Sequence, residues 1–468
     1  MKKSKLIESF YSLDKKDFRD LHKFVRSPFF NQQEKVIRFY DLLYEQLVHI
    51  QMIPQKEKLF KKLYPGEIYD DIKIRLLMSS LNKIIEQYFM YKAFFKDDIK
   101  AKTKLTEAYR QRKLFKHFSK SVGEVKSLQE RNPFRNAEYF DDQYQIQLEE
   151  YQFLSANKRT EKLNLQEISD TIDITYLATK LRQTCFLLSH QRVYKADYDF
   201  GLLPDVINYI ENRGFLSIPA ISIYYYCYNS LINPEQVQYF IKFKELLFEH
   251  SNKFPVSEVR DLHILAINYC IKRLNEGISE YVQEGFELYK KGLENGYLIE
   301  NKLISRFTYN NIVAMALMMH EYDWTDHFML EYKNLLEKKY QESTYNFNKA
   351  RLEYNRKNYD VALKLLKKSD FKDLLNNLIS KILLLKIYYE LEEFDLLESH
   401  LDSLLTFIRR KKVMGYHKEN YLNIVHFTKK LLTTNFYNAK EKEGLKQIIE
   451  KEEVLTERKW LLKQLEKL

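Results

Sequence analysis

Hydrophobic and polar positions repeat in the C-terminal half of the chain with a spacing of 35 residues. The segments that share the pattern are 315–331, 350–366 and 385–401. An aromatic residue recurs at Trp324, Tyr359 and Phe394, and an apolar residue recurs at Leu317, Leu352 and Ile387. A period of this length is typical of arrays of paired helices, so we predict helix–turn–helix units over this region.

Helical spacing of apolar residues extends over much of the remaining chain, including residues 32–51, 70–95 and 100–130. Only 10 Gly and 8 Pro occur among 468 residues, so few positions interrupt helices. The charged stretch 439–468 carries its apolar residues on one side and is predicted to be one long helix that caps the array. We therefore predict an all-α fold in which antiparallel helical hairpins form an α-solenoid.

Two of the repeated segments resemble the tetratricopeptide repeat family. The residues that carry the resemblance are Tyr354, 358–363, Tyr388, Tyr389 and 393–395. The resemblance implies an irregular right-handed solenoid, in which each hairpin buries its apolar stripe against the next one. The sequence departs from the family pattern between the two helices of a unit, where Lys357 and Glu392 replace the usual glycine.

The resemblance also implies a binding surface. Proteins of this family usually bind a peptide or protein segment along the concave face formed by the first helix of each pair. By pattern, the residues facing that groove would be Ile312, Ala316, Phe347, Arg351, Ile382 and Lys386. The family's basic residues that hold a C-terminal carboxylate are not found, so the resemblance implies no particular ligand.

Charge is distributed unevenly along the chain. Residues 1–135 contain 30 Lys and Arg against 17 Asp and Glu, a net charge of +13, which leaves −2 for the rest of the +11 total. With the Asn132–Pro133 break, this predicts a basic N-terminal helical domain, residues 1–135, followed by the repeat domain, residues 136–468. Such asymmetry suits either a soluble lysine-rich surface or contact with an acidic partner such as nucleic acid, a ribosome surface or anionic lipid.

The most basic predicted helix spans residues 100–130. Its cations cluster on the side opposite its apolar residues, where they could contact phosphates: Lys102, Arg110, Lys113, Lys116 and Lys120. The alternative interpretation is a solvated lysine-rich surface that holds no ligand.

Chemical motifs are scarce. The three cysteines, Cys185, Cys227 and Cys270, are too scattered for a disulfide framework or a CxxC metal site. His320 and His327 flank a predicted turn, but two histidines near acids are a weak metal signal. We expect no catalytic residues, no metal and no cofactor. A membrane span and a signal peptide are also not expected, so a cytoplasmic location is predicted.

Two functions remain open from the sequence. The first is a non-enzymatic protein–protein interaction scaffold or adaptor that binds a protein or peptide segment in a helical groove. The alternative is a regulator associated with nucleic acid or the ribosome through the basic N-terminal third. The sequence determines neither the partner nor the oligomeric state.

Overall fold

Helices account for most of the residues that the structure describes. The computed structural model describes residues 1, 3–157, 162–194, 196–367, 374–410, 416–435 and 437–467. It is 78% helical and 1% strand, which confirms the all-α prediction. The chain divides into a first unit, residues 1–131 with 145–164, and a second unit, residues 132–144 with 165–468. Residues 145–164 therefore belong to the first unit, although the sequence analysis grouped them with the repeats.

The first unit is built around one long helix. Its helices are α1 (Lys5–Tyr11), α2 (Lys15–Val25), α3 (Glu34–Tyr44), α4 (Lys56–Leu63), α5 (Asp71–Phe94), α6 (Asp98–Gln111) and α7 (Phe115–Arg131), with a π-helical turn at Glu45–His49. Helix α5 begins where the Asp70 side chain accepts hydrogen bonds from the N–H groups of Ile72 and Lys73. Helices α1 to α4 pack on its apolar stripe, which includes Leu81 and Ile85.

The single basic helix predicted over residues 100–130 is in fact two antiparallel helices, α6 and α7. Lys113 adopts a left-handed conformation (φ 58°) and ends α6. The N–H of Lys113 donates to the Arg110 carbonyl, and the N–H of Leu114 donates to the Tyr109 carbonyl. This is the hydrogen-bond pattern of a Schellman C-cap, which usually contains glycine. Helical periodicity missed the break because Lys113 carries no turn signal in the sequence.

The second unit continues as a succession of helices. Helix α8 (Ala137–Asn157) begins in the second unit and continues into the first. The following helices are α9 (Leu165–Tyr194), α10 (Leu203–Arg213), α11 (Pro219–Ile232), α12 (Val237–Glu249), α13 (Val256–Asn275), α14 (Tyr281–Glu294), α15 (Arg306–Met318), α16 (Tyr322–Tyr332), α17 (Gln341–Asn355), α18 (Tyr359–Lys367), α19 (Leu374–Glu390), α20 (Phe394–Arg410), α21 (Tyr416–Thr433), α22 (Ala439–Lys451) and α23 (Arg458–Lys467). Short 3₁₀ turns occupy Phe215–Ser217, Ser251–Lys253 and Lys333–Leu335.

One small hairpin interrupts this helical succession. Strand β1 (Ile299–Glu300) pairs antiparallel with β2 (Leu303–Ile304) between α14 and α15. Asn301 and Lys302 both have positive φ, which is the geometry of a type I′ turn. The sequence analysis did not predict these strands, because two residues are too few to produce an alternating pattern.

Helices of the second unit pack as neighbouring pairs. The pairs are α11 with α12, α13 with α14, α15 with α16, α17 with α18, and α19 with α20. First helices also pack on each other: α11 on α13, α15 on α17, and α17 on α19. This double pattern makes the second unit a solenoid-like helical repeat, as the sequence predicted.

The turns inside three successive pairs share one geometry. His320, Lys357 and Glu392 each have φ between 58° and 64°. Each N–H donates to the carbonyl three residues earlier, and the following N–H donates to the carbonyl five residues before it. Lys357 and Glu392 therefore take the backbone conformation that glycine adopts most easily.

These turns correct the register of the first repeat. His320 and Lys357 are 37 residues apart, whereas Lys357 and Glu392 are 35 apart. The residue equivalent to Tyr359 and Phe394 at the start of the second helix is therefore Tyr322, not Trp324. Trp324 lies half-buried two residues further on, where it stacks on Phe328.

The hydrophobic core of the second unit contains the chain's thiols. Cys185, Cys227 and Cys270 are buried and free. Burial raises the pKa of Cys185 and of Cys270. Among the described residues, no helix combines the length and the apolar character that crossing a bilayer requires.

Candidate partner-binding face

The positive-φ turns align the first helices residue by residue. Gly277, which ends α13 with φ 95°, has the same pair of hydrogen bonds as His320, Lys357 and Glu392. We define the first-helix face by the side chains 13, 9, 6 and 2 positions before this turn residue. They are Ile264, Asn268, Ile271 and Asn275 on α13; Phe307, Asn311, Ala314 and Met318 on α15; Thr344, Asn348, Arg351 and Asn355 on α17; and Ile379, Leu383, Lys386 and Glu390 on α19.

This face is open on α13 and α15. Ile264, Phe307 and Met318 are 41%, 46% and 60% exposed, which is high for large apolar side chains. Asn268 and Asn311 are exposed between them. Apolar side chains interleaved with amides offer both burial and hydrogen bonds to a partner backbone.

The same face is mostly covered on α17 and α19, although Ile379 at the start of α19 is exposed. Asn348 is buried and donates to the Asn310 side chain on α15 at 2.6 Å. Leu383 is buried, and Arg351 and Lys386 are half-buried. On α19, the face is covered by another part of the same chain.

The covering element is the C-terminal segment, Glu452–Lys467. The sequence predicted one helix from Ala439 to Leu468, but α22 ends at Lys451 and α23 begins only at Arg458. The intervening residues turn the chain so that α23 packs on α21 and α22 and reaches α19. The predicted cap is therefore a helix that lies against first helices.

Charged and aromatic groups attach this segment to α19. The Lys386 ammonium lies 2.8 Å from a Glu457 carboxylate oxygen. The Trp460 ring packs edge-on against Tyr389 at 5.4 Å, and its indole N–H donates to the Glu390 carboxylate at 3.3 Å.

Glu390 binds the next turn of α23 as well. Gln464 donates to its carboxylate at 2.7 Å, and the Lys467 ammonium lies 2.9 Å away. Burial opposes the charged form of Glu390, but these hydrogen bonds outweigh it and lower the pKa.

Further contacts join the segment to α21. The N–H of Thr456 donates to the Asn420 side chain at 2.8 Å, and Asn423 donates to the Val454 carbonyl at 3.1 Å. Three leucines of the segment are buried in the core shared by α19 to α23: Leu455, Leu461 and Leu465. Each contributes about 1.5–3 kcal/mol of burial free energy.

Arg458 extends the segment toward α13. A Cβ atom placed on Gly277 would lie 3.3 Å from the Arg458 guanidinium, so the two residues are in contact distance. Arg458 donates to the Glu452 carbonyl of its own segment. Its Nε is buried without a hydrogen-bond partner among the described atoms.

The groove residues predicted from the sequence fall into two groups. Arg351 and Lys386 lie on the first-helix face, and Lys386 binds Glu457. The apolar members are buried between helices, and a partner cannot reach them unless those helices separate: Ile312, Ala316, Phe347 and Ile382. For Ile312 and Ala316, the 37-residue spacing is one cause, since the residue equivalent to Arg351 on α15 is Ala314.

Arg351 has an unusual environment for a cation. It donates to the Asn310 carbonyl at 2.9 Å and to the Asn348 side chain at 3.1 Å. Burial lowers the pKa of Arg351 to about 10, although the nearby Glu457 carboxylate acts in the opposite direction. Arg351 and Lys386 thus form a basic site whose described acidic neighbour belongs to the C-terminal segment.

In the first unit, two of the five predicted phosphate-contacting residues form ion pairs that join different helices. Arg110 donates to both oxygens of Glu149 at 2.7 and 3.2 Å, and both side chains are largely buried. Lys102 is paired with Glu124. These two cations hold helices together.

The other three basic residues are exposed. Lys113 lies in the turn between α6 and α7, Lys116 lies on the first turn of α7, and Lys120 is 3.9 Å from Glu124. The five cations are thus distributed over two antiparallel helices and their turn, since Lys113 divides the predicted single helix.

A buried carboxylate network forms another chemically distinct cluster. Glu258 on α13 is 2% exposed and accepts hydrogen bonds from Tyr224 at 2.8 Å and Asn136 at 2.9 Å. Burial raises the pKa of Glu258, although Asn136, Arg182 and Tyr224 favour its charged form. The network connects α11 with α13 inside the core. It could not be predicted from the sequence, because its members are far apart in the chain.

Neither metal ligands nor known relatives identify a different site. Within the described ranges, no group of three or more His, Cys, Asp or Glu side chains is arranged to hold a metal ion. No protein-family model matches the chain, and no curated protein or solved structure shows significant similarity to it.

Proposed function

We propose that the protein is a tetratricopeptide-like scaffold that binds a protein or peptide segment on its first-helix face in the cytoplasm. The observation that carries the proposal is the open half of that face on α13 and α15. Ile264 and Phe307 are exposed at equivalent positions, followed one helical turn later by the exposed Asn268 and Asn311, and Met318 is exposed at the far end of α15. The recurrence of an exposed apolar residue and an exposed asparagine at equivalent positions on α13 and α15 favours an interaction surface over chance exposure.

The covered half supports the same proposal. On α19, the equivalent surface accommodates a helical segment through an ion pair, an indole and buried leucines. An aromatic anchor, leucine burial and a few polar contacts are the usual composition of a protein interface. The chain's own segment is thus an example of a ligand that this type of surface accepts.

Affinity capture with matched variants tests the proposal. The full-length protein is used as bait in native cell extract at low and high salt, with nuclease treatment, and bound proteins are identified by mass spectrometry. Met318→Asp removes an apolar contact from the first-helix face, and Leu330→Asp is its control, since Leu330 is 61% exposed on α16, a second helix. We expect a protein partner that is retained by the wild type and L330D at high salt and lost with M318D.

Two results would contradict the scaffold proposal. One is that M318D and L330D capture the same partners equally well. The other is that every captured component disappears at high salt or with nuclease, since salt-sensitive binding is the behaviour of phosphate contacts. The second result would favour the alternative function, a nucleic-acid or ribosome contact through the exposed Lys113, Lys116 and Lys120.

A further inference from the structure

We propose that the C-terminal segment, Glu452–Lys467, is a built-in ligand that leaves α19 when a partner helix of the same chemistry takes its place. The partner would be an amphipathic helix with a carboxylate, an aromatic side chain three residues later, and leucines one and five residues after the aromatic. This inference rests on the proposed function and specifies the class of partner.

The chemistry of the partner follows from the anchors of the segment. Glu457 pairs with Lys386, and Trp460 contacts both Tyr389 and Glu390. Leu461 and Leu465 continue the same side of the helix into the core. Any helix with this spacing can make the same contacts. When such a helix displaces the C-terminal segment, it buries again the apolar surface of α19 that the segment had covered.

Imperfect pairing of two arginines indicates that the docked segment can be displaced. Arg458 has a buried Nε without a hydrogen-bond partner among the described atoms and pairs with no described acid. Arg351 is half-buried beside Glu457, but its described hydrogen bonds go to Asn310 and Asn348. The unpartnered Arg458 Nε costs free energy in the docked segment, and a partner helix that lacks this buried arginine avoids that cost.

The covalent connection of the segment to the rest of the chain determines how strongly it competes with a free peptide. A short linker holds the segment at an effective concentration of about 1 mM. For a segment with an affinity of about 10 µM, the closed form then outnumbers the open form about 100-fold, and a free peptide appears about 100-fold weaker. Weakening the attached segment must therefore strengthen the binding of a free one.

The experiment measures the binding of a fluorescein-labelled peptide with the sequence of residues 452–467 to the full-length protein by anisotropy. Glu457→Lys places an ammonium against Lys386 and weakens the attached segment. Glu466→Lys is the matched control, because Glu466 is exposed on the same helix. We expect E457K to bind the peptide at least tenfold more tightly than the wild type, and E466K to bind it like the wild type. A peptide that itself carries E457K should not bind.

A second measurement keeps the test decisive if E457K does not fold. The sequence has two tryptophans, so Trp324→Phe leaves Trp460 as the reporter of the attached segment. Unlabelled peptide carrying Trp460→Phe should shift the Trp460 emission to the red, since Trp460 leaves a buried site.

The inference is overturned if a folded E457K binds the peptide no more tightly than the wild type. It is also overturned if Trp460 emission does not change with up to about 1 mM peptide, the effective concentration of the tethered segment. The proposed function depends on Met318 and on a captured partner, so a failed exchange with intact capture contradicts this inference alone.

Discussion

Replacing Lys357 by glycine should stabilise the second unit, although it removes a whole side chain. Lys357 ends α17 with φ 64°, a conformation that costs an L-residue about 1–2 kcal/mol and costs glycine almost nothing. Glycine also gains about 0.4–1 kcal/mol of conformational entropy in the unfolded chain, which opposes the benefit. The net expectation is a gain of about 0.5–1 kcal/mol in the free energy of unfolding.

The assay is urea unfolding of the full-length protein followed by tryptophan emission. Trp324 and Trp460 both lie in the second unit, so the signal reports that unit. The matched control is Lys364→Gly at an exposed position inside α18, where glycine should cost about 1 kcal/mol. The same substitution thus shifts the midpoint in opposite directions at two sites seven residues apart in the sequence.

Glu392→Gly provides an independent repeat of the test. Glu392 ends α19 with φ 58°, and Glu398→Gly inside α20 is its control. A loss of stability in K357G comparable to that in K364G would refute the conclusion that backbone strain dominates at this turn. Unchanged slopes of the urea curves are required, since a changed slope indicates an altered denatured state.

Two further predictions concern pH and charge. Burial lowers the pKa of His263 to about 4, below its value of 6.5 in the unfolded chain. The unfolded chain therefore binds a proton more readily than the folded one, and the free energy of unfolding should fall by about 3 kcal/mol as the pH drops from 6.5 to 4. His263→Gln should reduce this loss of stability in urea unfolding measured at several pH values. In the first unit, the double substitution Lys113→Glu and Lys116→Glu should change the free energy of unfolding by less than about 0.5 kcal/mol. Arg110→Ala should lower it by about 1–3 kcal/mol, because Glu149 is then largely buried without its partner. Binding of the double lysine variant to a nucleic-acid probe at several salt concentrations then tests the phosphate-contacting face separately from folding.

The repeated helical pairs were predictable because their signal is local. Apolar residues at helical spacing specify α17 to α20, and the two turn residues Lys357 and Glu392 lie where the pattern expected glycine. The break at Lys113 was not predictable, since a lysine in a left-handed conformation has no signature in the sequence. The two-residue offset of the first repeat was missed because Trp324 is itself aromatic and lies 35 residues before Tyr359, the same spacing that separates Tyr359 from Phe394.

The candidate site was predicted in part. Arg351 and Lys386 lie at equivalent positions on the first-helix face, six residues before the turn, because their spacing follows from the repeat; their role in binding a partner stays a prediction. Periodicity could not show that Glu457 forms an ion pair with Lys386, since the two residues are 71 positions apart and come together only because the chain turns at residues 452–457. The exposure of Phe307 and Met318 was missed for a different reason. An exposed apolar side chain in a helix has the same sequence pattern as a buried one.

The burial of all three cysteines has a practical consequence for spectroscopy. Cys185, Cys227 and Cys270 are the only thiols in the sequence, and each is enclosed in the core. Maleimide and spin-label reagents react with exposed thiolates, so the native protein should remain unlabelled while folded. Cysteines introduced at Lys459 and Met318 would therefore carry a pair of probes without removal of any native cysteine, and the distance between the probes would report the position of the C-terminal segment.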